Sequence, residues 1–295
     1  MRKNGTDVLI CFDDHYAPAA SVMLTSLFLN NERVKFNLYA IVNGVAEKRL
    51  DSISRLCCKF SRTVSFLDID KDEYEFFEIS EHFSHAAYFR LFAPKMIKAD
   101  KILYLDVDII VQTDISPLLE MAIKNNIIAG ALDRRPSDLS KERLGLDADE
   151  PYLNTGVLLI NLELWRTQKI TQSLIAYYFK NKSRLMWADQ DLLNKVLAGK
   201  KVVLDQQWNV LYGDLISKKF KLPDFDRNSF QGIFHFNTDE KPWHKWARQP
   251  YRALYHKYAD LAPIRMVEST IPKNLYQVKG AVLGGMRRIK YMFWE

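Results

Sequence analysis

The sequence predicts an α/β domain built on a mostly parallel central sheet with flanking helices, and three observations carry that reading. Strand and helix patterns alternate over the amino-terminal part in the order that builds parallel βαβ units. The later strands are near-unbroken apolar runs, as in 101–111 and 152–162, which suits strands covered on both faces. At 295 residues, 48% hydrophobic and 26% charged, the chain is long enough for one large α/β domain with a sizeable core.

Residues 7–12 read as a first buried strand that ends in Asp13-Asp14-His15-Tyr16, with Ala17-Pro18 opening a helix to about Asn30. Polar residues at the carboxyl end of a first strand sit where open α/β sheets bind ligands, and helix capping is the competing use for one of the two acids. A second strand over 36–42, a helix over 47–60 and a third strand over 64–69 follow. No glycine-rich phosphate loop follows any of them, so a bound nucleotide would need a metal and side chains to hold its phosphates. Residues 84–97 have helical spacing, with Arg90 set among Tyr88, Leu91 and Phe92. Such an arginine either pairs structurally or reaches an acid or a substrate oxygen.

The stretch 101–111 carries two acids, Asp106 and Asp108, inside an apolar run. Burying an unpaired charge costs several kcal/mol or more, so something must neutralise them. In extended chain, residues two apart point to one side, and the two carboxylates would converge as ligands of a hard divalent cation do. Two Asp at this spacing occur about once by chance in a chain of this size, so the flanking apolar run gives the pattern its weight. The alternative is a strand that ends at Leu105 with both acids in a loop.

Beyond it, Ser116-Pro117 starts a helix and 127–132 is a strand ending at Asp133. The polar, aperiodic stretch 134–150 reads as a long loop, a common form for a lid. Asn154-Thr155-Gly156 introduces a buried strand, with Gly156 permitting close approach of a neighbouring strand or a ligand. Residues 187–194 form a loop into a helix for which Asp189 is a natural N-cap. A short strand, 233–236, carries His235, the best available third partner for the two acids.

Taken in series, Asp13-Asp14-His15-Tyr16, Leu103-Tyr104-Leu105-Asp106-Val107-Asp108, the stretch from Asn154 to Asn161, Asp189-Gln190-Asp191 and Lys241-Pro242-Trp243-His244 resemble family 8 glycosyltransferases. That family of retaining enzymes includes bacterial lipopolysaccharide galactosyl- and glucosyltransferases. The resemblance implies a GT-A fold, a UDP-sugar donor of the UDP-galactose or UDP-glucose type, and Mn²⁺, with Mg²⁺ as the substitute. It implies that Asp106, Asp108 and His235 hold the metal, with Val107 between the acids in the nucleotide site. Asp13, His15 and Tyr16 would lie at the uridine and Lys241 on a phosphate oxygen. Arg90, Asp133, Asn154, Asp189 and Gln190 would surround the transferred hexose, Gln190 and Asp189 being the catalytic candidates. His15 stands where bacterial members usually carry Asn, and an imidazole can also hydrogen-bond or stack.

Composition bounds the setting. Three cysteines, two of them adjacent, are poor material for a disulfide framework and typical of a reducing compartment. The amino terminus lacks the long apolar region of a signal peptide, and no apolar run approaches a membrane span. Of the net charge of +6, the segment from Arg265 onward carries +4, through six basic residues against Glu268 and Glu295. In that segment Leu275, Val278, Val282, Met286, Ile289 and Phe293 fall on one helical face, with Lys279, Arg287, Arg288 and Lys290 off it. The reading is a catalytic domain over 1–262 and a basic amphipathic segment over 263–295 that lies on an anionic membrane surface. A cytoplasmic, peripheral membrane enzyme acting on a saccharide or glycolipid acceptor follows.

Other classes fit less well. A nucleotidyltransferase would want a glycine-rich loop after the first strand, and a glycoside hydrolase would use two carboxylates without a metal. A sugar-binding module would dispense with the metal ligands. Nucleic acid is disfavoured because the basic residues gather at the carboxyl terminus and not across a folded face.

Overall fold

The computed structural model describes residues 7–79, 84–134, 137–215, 231–247 and 251–266. Among them, ten strands form two sheets. They are β1 (Asp7–Asp13), β2 (Leu38–Asn43), β3 (Val64–Asp68), β4 (Lys101–Leu105), β5 (Ile109–Val111), β6 (Ile128–Leu132), β7 (Leu153–Asn161), β8 (Lys201–Leu204), β9 (Val210–Leu211) and β10 (Ile233–His235). The larger sheet runs β3-β2-β1-β4-β7-β6-β8 and the smaller β5-β10-β9. Parallel pairing holds from β3 through β4 and again between β6 and β8, while β7 runs antiparallel to both of its neighbours. The expected mostly parallel sheet is therefore present, with one reversed strand in it.

The apolar runs follow from burial on both faces. In β1, Val8, Ile10 and Phe12 face one core and Leu9 and Cys11 the other, and β4 divides in the same way into Leu103 and Leu105 against Ile102 and Tyr104. Helices cover both sides: α1 (Ala17–Leu29), α2 (Glu47–Lys59), α3 (Ala86–Phe89), α4 (Ala93–Met96), α5 (Ser116–Glu120), α6 (Ser137–Leu144), α7 (Leu162–Thr167), α8 (Ile170–Asn181), α9 (Ala188–Val196), α10 (Tyr212–Leu215) and α11 (Tyr251–Ala259).

Several expectations need correction. The helix expected over 84–97 is broken into α3, a 3₁₀ turn (Arg90–Phe92) and α4. Pro94 cannot donate to the Arg90 carbonyl, which instead takes the Ala93 N–H one residue earlier. The stretch 134–150 is not wholly loop, because it contains α6. The apolar run 101–111 is not one strand. It leaves the large sheet at Leu105, turns through Asp106–Asp108 and enters the small sheet at Ile109. The basic amphipathic stripe expected from Leu275 to Phe293 lies outside the described residues, whereas Ile264 and Met266 still pack on the main core.

Candidate active site

The crossing between the two sheets builds the site. Asp106 donates its N–H to the Gly156 carbonyl of β7 at 2.7 Å, and Phe236, just past β10, donates its N–H to the Asp108 carbonyl at 3.0 Å. The turn is thus pinned from both sides. Because β10 pairs antiparallel with β5, His235 lies opposite Ile109, at the mouth of the turn. Its Nε2 is 3.3 Å from Asp108 Oδ1 and 3.7 Å from Asp106 Oδ2. The carboxylates converge because the turn folds them together, and not because they share one face of a strand.

Gly156 makes this approach possible. A Cβ there would stand 2.2 Å from His235 Cε1 and 2.8 Å from Asp106 Oδ2, so any larger residue would push the cluster apart. One ligand atom from each of Asp106, Asp108 and His235 falls within 4.8 Å of the others, as a shared divalent cation requires. Two hard oxygens and one imidazole nitrogen suit a divalent cation.

Cations already answer the two acids. Lys241 Nζ lies 2.5 Å from Asp108 Oδ2 and donates to the Phe236 carbonyl at 2.8 Å. Burial works to raise the Asp108 carboxyl, yet Lys241 and His235 outweigh it and hold it well below the usual range. Arg90 is 3% exposed and donates from Nη2 to Asp106 Oδ1 at 2.9 Å and from Nη1 to the Thr155 carbonyl at 2.5 Å. Its guanidinium carbon sits 3.9 Å from the Tyr104 ring centre, and Tyr104 donates to Asp106 Oδ1 at 2.5 Å.

Asp189 does not cap α9. No side chain caps this helix; Asp191, within it, reaches back with Oδ2 to accept from the N–H groups of Met186 and Trp187, which precede it, at 2.7 and 2.8 Å. Asp189 turns inward instead, 4% exposed, with Oδ2 at 3.3 Å from Arg90 Nε. That contact is an ion pair without a hydrogen bond, because the single Nε hydrogen goes to the Ala87 carbonyl. Burial, despite the pull of Arg90, pushes the Asp189 carboxyl up to about 7. Gln190 beside it accepts from Thr155 N–H at 3.2 Å and donates to Asp133 Oδ2 at 3.3 Å and to the Tyr152 hydroxyl at 3.4 Å.

These groups share one cleft of about 370 Å³ at the carboxyl ends of β1 and β4. Tyr16, Arg90, Asp106, Val107, Asp108, Asp133, Asn154, Asp189, Gln190, His235 and Lys241 all line it. Asp13 and His15 do not. Asp13 stands one step behind, with Oδ1 accepting from Tyr16 N–H at 3.1 Å and Oδ2 from the Ser84 hydroxyl at 2.6 Å. His15 is exposed and packs edge-on against Tyr16. Asp14, the other capping candidate, is turned away to Arg49 and the Ala46 N–H. Sequence reasoning passed over Tyr104, whose hydroxyl meets Asp106, and Asn209, a fully buried amide 3.0 Å from His235 Nδ1. The Tyr two residues before Asp106 was a visible signal for the first, while Asn209 follows an unremarkable Gln206-Gln207-Trp208.

A two-sheet α/β fold with an acid–imidazole cluster at the crossing has clear relatives. Residues 7–247 match glycosyl transferase family 8, and the chain belongs to that family of glycosyltransferases. It is 31% identical to General stress protein A of Bacillus subtilis, over 88% of this chain and 94% of that protein. It is 27% identical to a lipopolysaccharide 1,2-glucosyltransferase of Escherichia coli K12, over 84% of this chain and 75% of that one. In three dimensions it superposes on the galactosyltransferase LgtC, solved with donor and acceptor sugar analogues, at a TM-score of 0.76 and 22% identity. That overlap covers 94% of this chain and all of the other. The fold is thus GT-A.

Proposed function

We propose that this chain is a retaining, metal-dependent hexosyltransferase that moves galactose or glucose from a UDP-sugar to a saccharide acceptor, such as a lipopolysaccharide core. The observation that carries this reading is the convergence of Asp106, Asp108 and His235 on one point beside Lys241. Asp106, Asp108 and His235 would hold a divalent cation there, which would supply positive charge against the charge that grows on the leaving diphosphate. Lys241 lies at the same end of the cleft and adds a second positive charge for the diphosphate, in the role a protonating acid would play elsewhere. Tyr16, with Asp13 behind it, forms the nucleoside end.

At the sugar end, Asp133, Asn154 and Gln190 form one hydrogen-bonded set through Asp133 Oδ2. They are placed to bind hexose hydroxyls, and donor choice rests on such bonds. Asp189, paired with Arg90 and drawn toward its protonated form, is a poor nucleophile. We therefore favour same-face attack, with the Gln190 amide stabilising the developing cation. Arg90 serves as the counter-ion that keeps Asp106 and Asp189 tolerable inside the cleft.

Among the described residues no helix is long and apolar enough to cross a membrane. The proposed membrane contact rests on the amphipathic stripe and basic residues after Arg265, and marks the enzyme as peripheral at the inner face of the cell membrane. The chemistry is tested by screening UDP-sugars with Mn²⁺ for hydrolysis or transfer. Turnover of a UDP-hexose with retained anomeric configuration supports the reading, and turnover independent of added or chelated metal overturns it.

A further inference from the structure

Behind the cleft, a chain of amides joins the sugar end of the site to the imidazole of His235. Its polarity is fixed by one group whose role admits no choice, the main-chain N–H of Gly156. That N–H lies 3.0 Å from Asn154 Oδ1, so this atom is an oxygen and accepts. The other end of the Asn154 amide is then the donor, and it meets the carboxylate oxygen Asp133 Oδ2 at 3.2 Å. A second bond to Asn154 Oδ1 comes from Asn209 at 2.8 Å, which must be Nδ2 donating. Asn209 therefore presents Oδ1 to His235 Nδ1, 3.0 Å away. An oxygen there can only accept, so Nδ1 carries a proton, and in the neutral imidazole the lone pair is left on Nε2, the atom that faces Asp106 and Asp108.

Asn209 is held rigidly in this pose. It is fully buried, it directly follows a 3₁₀ turn (Gln206–Trp208), and the Gln206 amide donates to its carbonyl at 2.8 Å. We propose that Asn209 is a positioning residue of the metal site, which locks His235 in the Nδ1–H tautomer and so makes Nε2 a ligand. It would couple that state, through Asn154, to Asp133 at the hexose end. This inference rests on the metal-dependent reading above, and a partner on the far nitrogen is how metal-bound imidazoles are generally oriented.

The test is Mn²⁺ titration of the full-length, metal-free protein, reading free Mn²⁺ by electron paramagnetic resonance, with no turnover involved. Asn209→Ala removes the acceptor, and Asn209→Asp keeps an acceptor for Nδ1–H while losing the donor to Asn154. Asn209→Ala should bind Mn²⁺ about 10- to 100-fold more weakly than the natural chain, and Asn209→Asp should restore affinity to within about threefold. A merely structural role predicts the opposite order, because a carboxylate buried against Asn154 Oδ1 disturbs packing at least as much as alanine. Equal losses in the two variants, or no loss in Asn209→Ala, would overturn the proposal. His235→Ala and Asp108→Ala are the reference pair. If they bind Mn²⁺ normally, the metal reading itself fails, which is distinct from a failure confined to Asn209. Should Asn209→Ala not fold, nitrogen-15 histidine spectra of the natural chain with Mg²⁺ and UDP decide alone. A proton on Nδ1 of His235 and none on Nε2 is expected, and a proton on Nε2 overturns the assignment.

Discussion

At the scale of single residues, Asp106, Asp108 and Asp189 each have a named counter-charge, and that pairing makes the chemistry testable. Asp106→Asn or Asp108→Asn should weaken Mn²⁺ and UDP together, by about tenfold or more, in a calorimetric titration. Gln190→Ala should instead slow transfer with UDP affinity largely retained. Arg90 stands between two carboxylates at 3% exposure, so Arg90→Met leaves both uncompensated and should cost about 3–5 kcal/mol in a urea titration. A loss under 1 kcal/mol would mean that Asp106 and Asp189 find other partners. Asp189 gives a pH signature. Its carboxyl rises from 3.8 to about 7 on folding, so the fold binds its proton more tightly than the unfolded chain does. The resulting stability is full below pH 3.8 and is lost as pH climbs through 7. Relative to Asp189→Asn, the natural chain should therefore lose stability between pH 4 and pH 8. Parallel urea midpoints across that range would contradict it.

At the scale of elements, the site depends on a strand that stops early. The apolar run 101–111 was legible as buried and as important, but its break was not, because residues buried in two different sheets look alike in sequence. The predicted convergence of Asp106 and Asp108 therefore holds for a different reason than strand alternation. The first three strands and the two helices between them fall close to their expected bounds, since β1 and α1 are compact apolar runs, α2 has a clear apolar stripe, and their ends carry Pro, Asn or charged residues. The helix α6 was missed because its polar, aperiodic sequence leaves no stripe to read. Capping competed with a catalytic role for Asp189 because the residue stands at the start of α9, but its side chain turns inward to Arg90 and no side chain caps that helix. Most of the cleft was visible as motifs, yet its connections were not. The contact of Asn209 with His235 exists only after β9 has paired with β10. Gly156 shows the dependence most sharply. Gly156→Ala should overpack the crossing, cost about 1–3 kcal/mol and weaken Mn²⁺ by at least about tenfold. Unchanged Mn²⁺ affinity in a folded Gly156→Ala protein would show that the cluster has slack that the geometry does not suggest.

At the scale of the whole molecule, two sheets meet so that the turn between β4 and β5 and His235 at the end of β10 contribute to one point, and the large sheet supplies the cleft beside it. The segment from Arg265 onward carries +4 of the net charge of +6, and on it rests the proposal of membrane contact. Truncation at Arg265 should abolish sedimentation with anionic liposomes while leaving UDP-sugar hydrolysis in place, and unchanged sedimentation would remove the membrane proposal. The central claim, that Asp106, Asp108 and His235 serve the metal of a nucleotide, is tested most directly by the thermal shift that UDP produces with and without Mn²⁺. For the natural chain, UDP should stabilise strongly only when Mn²⁺ is present, and Asp108→Ala should erase that difference. A UDP shift of the same size without Mn²⁺, and unchanged in Asp108→Ala, would contradict the account.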